Sequence, residues 1–138
     1  MEAAPDAAHR RLAAALGAAW VGGADDAPPR PLDAAIVFAP AGTLVPAALR
    51  ATRKGATVAL AGITMSPIPQ MDYALLYHER TLRSVANSTR DDARASLRLA
   101  AEVPLRTEVR VYELANANRA LQDLKRSRID GAGVLRVS

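Results

Sequence analysis

Apolar and polar positions fall along this chain in blocks that switch between extended and helical periods. Leu32-Asp33-Ala34-Ala35-Ile36-Val37-Phe38-Ala39 is an almost continuous apolar run, the pattern of a strand buried on both faces. Pro40-Ala41-Gly42 breaks it, residues 43–54 carry a helical pattern, and Gly55 is placed to stop the helix. Thr57-Val58-Ala59-Leu60-Ala61-Gly62-Ile63 is a second apolar run. Strand, loop, helix, loop, strand predicts a βαβ unit. Its two strands should be parallel, joined by a right-handed crossover and covered on both faces.

The flanking segments extend this alternation. Asp6 can cap a helix over residues 7–16 that Gly17 stops, and Ala18-Ala19-Trp20-Val21 is a short strand candidate. Residues 22–31 form a loop rich in Gly, Asp and Pro. Ser66-Pro67-Ile68-Pro69 is a stiff loop, and residues 71–78 read as a short helix with Tyr73 and Tyr77 one turn apart. Residues 81–87 are a third strand. Thr89 with Asp92 has the spacing of a capping box, opening a helix that runs to about Ala101 and buries Ala93, Leu97 and Ala100. Pro104 closes that block. Residues 109–112 alternate like a half-buried strand. Residues 114–125 form a helix with Leu114, Ala117, Leu121 and Leu124 on one side, and Gly131 precedes a last strand over residues 133–137.

Three parallel-type strands thus end at Ala39, Gly62 and Asn87. As neighbours, they bring their following loops into one ledge. In open α/β sheets ligands bind beyond the carboxyl ends of the strands. The ledge residues are mostly small, which lets a flat ligand approach backbone amides closely. The plainer reading, that small residues simply permit tight turns, is the one spacing alone favours.

Composition narrows the function classes. The chain has 138 residues, half of them hydrophobic but only 4% aromatic, so the core should be fine-grained. Cysteine is absent, which excludes disulfides and thiolate metal sites. No apolar run approaches the roughly 18 residues of a membrane span, and the acidic, proline-broken start is unlike a signal peptide. A soluble cytoplasmic protein is expected. The net charge is +4 and almost all positive charge is arginine, with Lys54 and Lys125 the only lysines. The arginines are interleaved with acids, which favours solubility over a nucleic-acid surface.

Individual chemical candidates are weak. His9 sits on a solvated helix face, and His78 has no second histidine nearby to complete a metal site. Ser66, Asp72 and His78 supply the letters of a hydrolytic triad without a nucleophile-elbow pattern. Asp25-Asp26 and Asp91-Asp92 read as loop and helix-start acids rather than cation ligands. Arg90, Arg94 and Arg98 form a helix stripe without interleaved aromatics, so a solvated face is favoured over phosphate tracking. There is no G-x-G-x-x-G and no Walker-type loop, so the glycine turn that carries a dinucleotide pyrophosphate is missing.

The run from LGAAWVGG through LDAAIVFAPAG, LVPAALRATRKGATVALAGITMSPIPQMDY and LLYHERTLRSVANSTRDDARASLRLAAEVP resembles the zinc-dependent alcohol dehydrogenases of the medium-chain dehydrogenase/reductase superfamily. The tail VRVYELANANRALQDLKRSRIDGAGVLRV resembles that family's closing segment. The resemblance implies a Rossmann-like fold whose later strands hold the nicotinamide half of NAD(P). The cofactor-contact positions it implies are Phe38, Ala39 and Pro40, then Ala61, Gly62 and Ile63, then Val85, Ala86 and Asn87. An arginine that some members carry near the last strand corresponds to Ala132.

The departures are as informative. The family's catalytic zinc ligands lie in an amino-terminal domain that this chain does not match, and cysteine, prominent among them, is absent. The first Rossmann strand, its glycine loop and the second strand are missing as well. The expectation is therefore an α/β fold, a partial Rossmann-like parallel sheet with flanking helices, truncated at its amino-terminal side. Residues 1–104 would be the carboxyl-terminal part of an NAD(P)-binding domain, and residues 105–138 a closing strand-helix-strand segment that in the family returns to the catalytic domain. The resemblance implies an oxidoreductase moving hydride between an alcohol and NAD(P), inactive as this chain alone and with no residue here to hold zinc. The alternative is a non-catalytic module whose free sheet edge pairs with a second copy or with a separate amino-terminal half.

Overall fold

The computed structural model describes residues 7–103 and 105–137. In chain order the elements are α1 (Ala7–Ala15), β1 (Leu32–Val37), α2 (Leu44–Ala51), β2 (Thr52–Leu60), α3 (Ala74–Tyr77), β3 (Thr81–Ser84), α4 (Arg90–Glu102), β4 (Val109–Glu113), α5 (Ala117–Lys125) and β5 (Ala132–Arg136). They form two compact units, one of residues 24–93 and one of residues 7–23 together with 94–103 and 105–137. Each unit has its own parallel sheet. The proposed cap Asp6 and the helix-ending Pro104 lie outside the described residues.

In the unit of residues 24–93 the sheet order is β1-β2-β3, all parallel, with Ala35, Val58 and Leu82 on one row and Val37, Leu60 and Ser84 on another. The βαβ unit read from the apolar pattern is present. Its core is Val37, Val45, Leu49 and Val58, with Ala48, Leu60, Leu75 and Leu82 packed around them. Val45 and Leu49 are four apart on α2 and both fully buried. Each such side chain stabilises the fold by about 1.5–3 kcal/mol.

Boundaries differ from expectation where backbone chemistry overrides pattern. The helix expected over residues 43–54 ends at Ala51, because Thr52 turns to extended backbone and its hydroxyl donates to the Leu49 carbonyl at 2.9 Å. A β-branched residue favours that extended geometry. β2 starts at once, five residues earlier than expected. Gly55 does not stop a helix. It lies in a bulge where pairing steps from Leu32↔Thr52 to Ala34↔Thr57, two positions on β1 against five on β2. Its φ of +72° is a left-handed conformation that glycine adopts without strain. The three strands also end at Val37, Leu60 and Ser84, two or three residues short of the expected ends.

The sheet was expected to be covered on both faces, and it is not. Strand order runs in one direction, so right-handed crossovers place α2 and α3 on the same side. Ala35, Val37, Val58 and Leu60 face them. The opposite face carries Ile36, which is 60% exposed.

Residues 18–21 are not a strand; no ladder partner pairs with them among the described residues. α4 opens on the expected capping box. The Thr89 amide donates to Asp92 Oδ2 at 2.8 Å, and the Asp92 amide donates back to Thr89 Oγ1 at 3.2 Å. The burial expected of Ala93, Leu97 and Ala100 is absent; Leu97 is 73% exposed.

In the other unit β4 and β5 pair in parallel with α5 between them, Tyr112 opposite Leu135. Leu114 belongs to a 3-10 turn over Leu114–Asn116 rather than to α5. The leucines read on one side of that helix are open: Leu114, Leu121 and Leu124 are all more than half exposed. Asp123 is buried instead, accepting a 3.1 Å hydrogen bond from the Tyr112 hydroxyl. Burial of the phenol and that bond push the Tyr112 pKa above its ordinary value. His9, read as a solvated helix residue, is exposed, but its Nε2 lies 3.3 Å from the Ile129 carbonyl oxygen.

Candidate functional site

The ledge is assembled within one unit. Beyond the last paired row of Val37, Leu60 and Ser84, the Ala61 amide donates to the Val37 carbonyl and the Val85 amide to that of Leu60, each at 2.9 Å. Phe38, Ala61 and Val85 therefore stand side by side, one residue past the sheet. Ala39 and Pro40 follow Phe38 as exposed backbone, and the Ala41 amide turns back to the Ala39 carbonyl at 2.8 Å. Gly62 and Ile63 continue from Ala61. Ala86 and Asn87 continue from Val85, both exposed, with the Asn87 side-chain oxygen accepting the Ser88 amide at 2.8 Å.

Three large apolar side chains mark this surface: Phe38 is 74% exposed, Ile63 95% and Val85 49%. Apolar groups of that size normally stay inside. They lie at or just beyond the carboxyl ends of three adjacent parallel strands, where open α/β sheets hold ligands. A Cβ built on Gly62 would come within 3.3 Å of Pro40 Cα, so a side chain there would press on the first loop.

The neighbouring loop closes over the start of α2. The Gly42 amide donates to Ser66 Oγ at 2.9 Å, and the Ser66 amide donates to the Pro40 carbonyl at 3.1 Å. Sequence reasoning missed this. The sequence gives Ser66 a place in a stiff loop and a letter of an unsupported triad, not this task. Those three letters have separate tasks: Asp72 Oδ1 accepts the Ala74 amide at 2.9 Å at the start of α3, and His78 stacks edge-on with Tyr77 at 5.2 Å. The one sequence signal was Gly42 itself, a glycine just before a helix where the backbone leaves no room.

Asp92 is held below the usual carboxylate range by hydrogen bonds from the Thr89 amide and hydroxyl. It is thereby occupied as a cap. Among the described residues no group of three or more His, Cys, Asp or Glu could hold a metal ion. The donor set does not fit zinc, since thiolate is absent from the sequence and no carboxylate-imidazole cluster replaces it. No helix among the described residues is long and apolar enough to cross a membrane.

Fold and ledge define one class: part of a Rossmann-like α/β domain, with exposed loops at the carboxyl ends of its parallel strands. The comparisons sharpen it. The chain is 49% identical over 127 residues to a probable alcohol dehydrogenase, AdhA, of Mycobacterium tuberculosis (strain CDC 1551 / Oshkosh), a match covering 91% of this chain and 37% of the relative. It superposes on the crystal structure of a putative alcohol dehydrogenase from Sinorhizobium meliloti 1021 with a TM-score of 0.62 and 26% identity, over 78% of this chain and 30% of the other. It also superposes on an NAD-dependent alcohol dehydrogenase with a TM-score of 0.64 and 20% identity, over 79% and 32%. No family model matches. The chain thus spans about a third of the length of the relatives it matches. In sequence and in fold it is similar to one portion of these alcohol dehydrogenases, as a carboxyl-terminal fragment of such a protein would be.

Proposed function

We propose that this chain supplies the nicotinamide side of an NAD(P) site for hydride transfer between an alcohol and the cofactor. The observation that carries this is the ledge: Phe38, Ile63 and Val85 stand exposed together at the ends of three parallel strands, in a chain homologous to part of an alcohol dehydrogenase. The bound nicotinamide would accept or donate hydride. Phe38, Ile63 and Val85 give it an apolar floor, and the backbone amides of Ala39, Gly62, Ala86 and Asn87 serve its polar edge, while the Ala61 amide and the Pro40 carbonyl are already bonded to Val37 and Ser66. Pyrophosphate-binding backbone is not built here. The Gly42 amide, near the start of α2, is already taken by Ser66.

By the same reasoning the residues present do not complete the reaction, and zinc chemistry and alcohol binding fall to protein outside this chain. That partner is a separate polypeptide or a further segment carrying the rest of such an enzyme. A second copy is the other candidate, since among the described residues β1 pairs only with β2 and its other edge invites pairing.

Two measurements on the pure chain test this. Titration with NADH, followed by its fluorescence, should show weak saturable binding that Phe38→Ala together with Ile63→Ala abolishes; no binding by the unmodified chain would sink the half-site reading. Incubation with zinc, NAD(P) and a panel of alcohols should show no turnover, and clear zinc-dependent turnover would overturn the division of labour.

A further inference from the structure

The loops after β1 and β2 are joined by two opposed hydrogen bonds from one residue. Ser66 Oγ accepts the Gly42 amide at 2.9 Å, and the Ser66 amide reaches the Pro40 carbonyl at 3.1 Å. Gly42 and Ser66 are 24 residues apart in sequence, with α2 and β2 between them, and neither lies in a helix or strand. Gly42 is buried, and a Cβ on it would fall within 2.5 Å of the Ser66 carbonyl oxygen and closer still to that of Pro67. The second loop therefore lies directly on the first, which only a glycine permits. Pro67 restricts Ser66 to extended backbone, so the clasp is stiff from its own side as well.

We infer that Ser66 is a positioning residue for the ledge: by clasping residues 40–42 it fixes the spacing between Phe38 on one loop and Ile63 on the other. This rests on the half-site reading above. Phe38 and Ile63 are both almost bare of packing, so neighbours do not hold them in place. What holds them is the path of their backbones, and the clasp ties those two paths together just beyond the side chains that would meet the ring. Removing the hydroxyl leaves the Gly42 amide without its acceptor while leaving the core of Val37, Val45, Leu49 and Val58 untouched.

The test compares the full chain with Ser66→Ala and Ser66→Thr by hydrogen–deuterium exchange and by NADH titration. In Ser66→Ala, exchange should rise roughly tenfold at the amides of Ala41 and Gly42 and of residues 64–66, with no change across β2. NADH binding should weaken several-fold. Ser66→Thr keeps the hydroxyl and should restore both. Unchanged loop exchange in Ser66→Ala overturns the clasp. Faster exchange with unchanged NADH affinity shows a structural bond only and overturns the positioning role, while leaving the half-site reading intact. If the unmodified chain fails to bind NADH, the half-site reading and the positioning role fall together, and exchange still reports whether the clasp exists.

Discussion

Arg80 donates three side-chain hydrogen bonds to backbone carbonyls. Its Nε and Nη2 reach the Thr52 oxygen at 3.2 and 3.0 Å, and its Nη1 reaches that of Leu75 at 3.3 Å. One half-buried guanidinium thus closes the end of α2, the start of β2 and α3 onto a single point. Replacing Arg80 by Ala should cost about 2–3 kcal/mol, since hydrogen bonds to charged groups contribute about 1.5–3 kcal/mol and the Thr52 carbonyl loses its partner. Arg80→Lys should recover less than half, because an ammonium cannot reproduce the planar fork. Urea denaturation of the three proteins checks both. The sequence showed an ER pair in a family-like motif but not this task, because Thr52 lies 28 residues away. Ser66 was hidden for the same reason. The Thr89–Asp92 cap was legible because its whole chemistry fits within three residues.

At the scale of elements, apolar runs located β1 and β2, the extended segment over residues 81–87 located β3, and backbone chemistry decided where each began and ended. Thr52 and the Gly55 bulge moved the start of β2; no hydrophobic pattern records a hydroxyl bonding back to a carbonyl or a glycine at positive φ. Two elements carry titrating groups with opposite consequences. Asp92 has a lowered pKa, so its contribution to the start of α4 is present above the ordinary carboxylate value of 3.8 and is lost as pH falls through the lowered one. Tyr112 has a raised pKa, so what its phenol adds to the β4–α5 packing is present below 10.0 and is lost as pH rises through the raised value. Stability followed by circular dichroism across pH should show an acid limb that Asp92→Asn removes and an alkaline limb that Tyr112→Phe removes. If either limb survives its substitution, that group is not its source.

For the whole molecule, the decisive contrast is between what is buried and what is bare. Among the described residues the buried hydrophobics are Val37, Val45, Leu49, Ala56, Val58, Tyr112 and Ile129, while Ile36, Phe38, Ile63, Leu97, Leu121 and Val137 are each at least 60% exposed. A protein that bares such side chains has other uses for them than its own core. Two uses are distinguishable here, because Ile36 lies on the open face of the sheet and Ile63 on the ledge. Ile36→Ser and Ile63→Ser should each leave stability within about 0.5 kcal/mol, as surface substitutions do. Their other effects should part company. Ile63→Ser should weaken NADH binding and leave light scattering unchanged; Ile36→Ser should lower concentration-dependent scattering and leave NADH binding unchanged. If Ile36→Ser costs several kcal/mol, the open face is packed in solution and β1 is not the edge it is in this fold. If both serines weaken NADH binding equally, ligand and partner share one continuous apolar surface, and the ledge extends down the sheet beyond its loops.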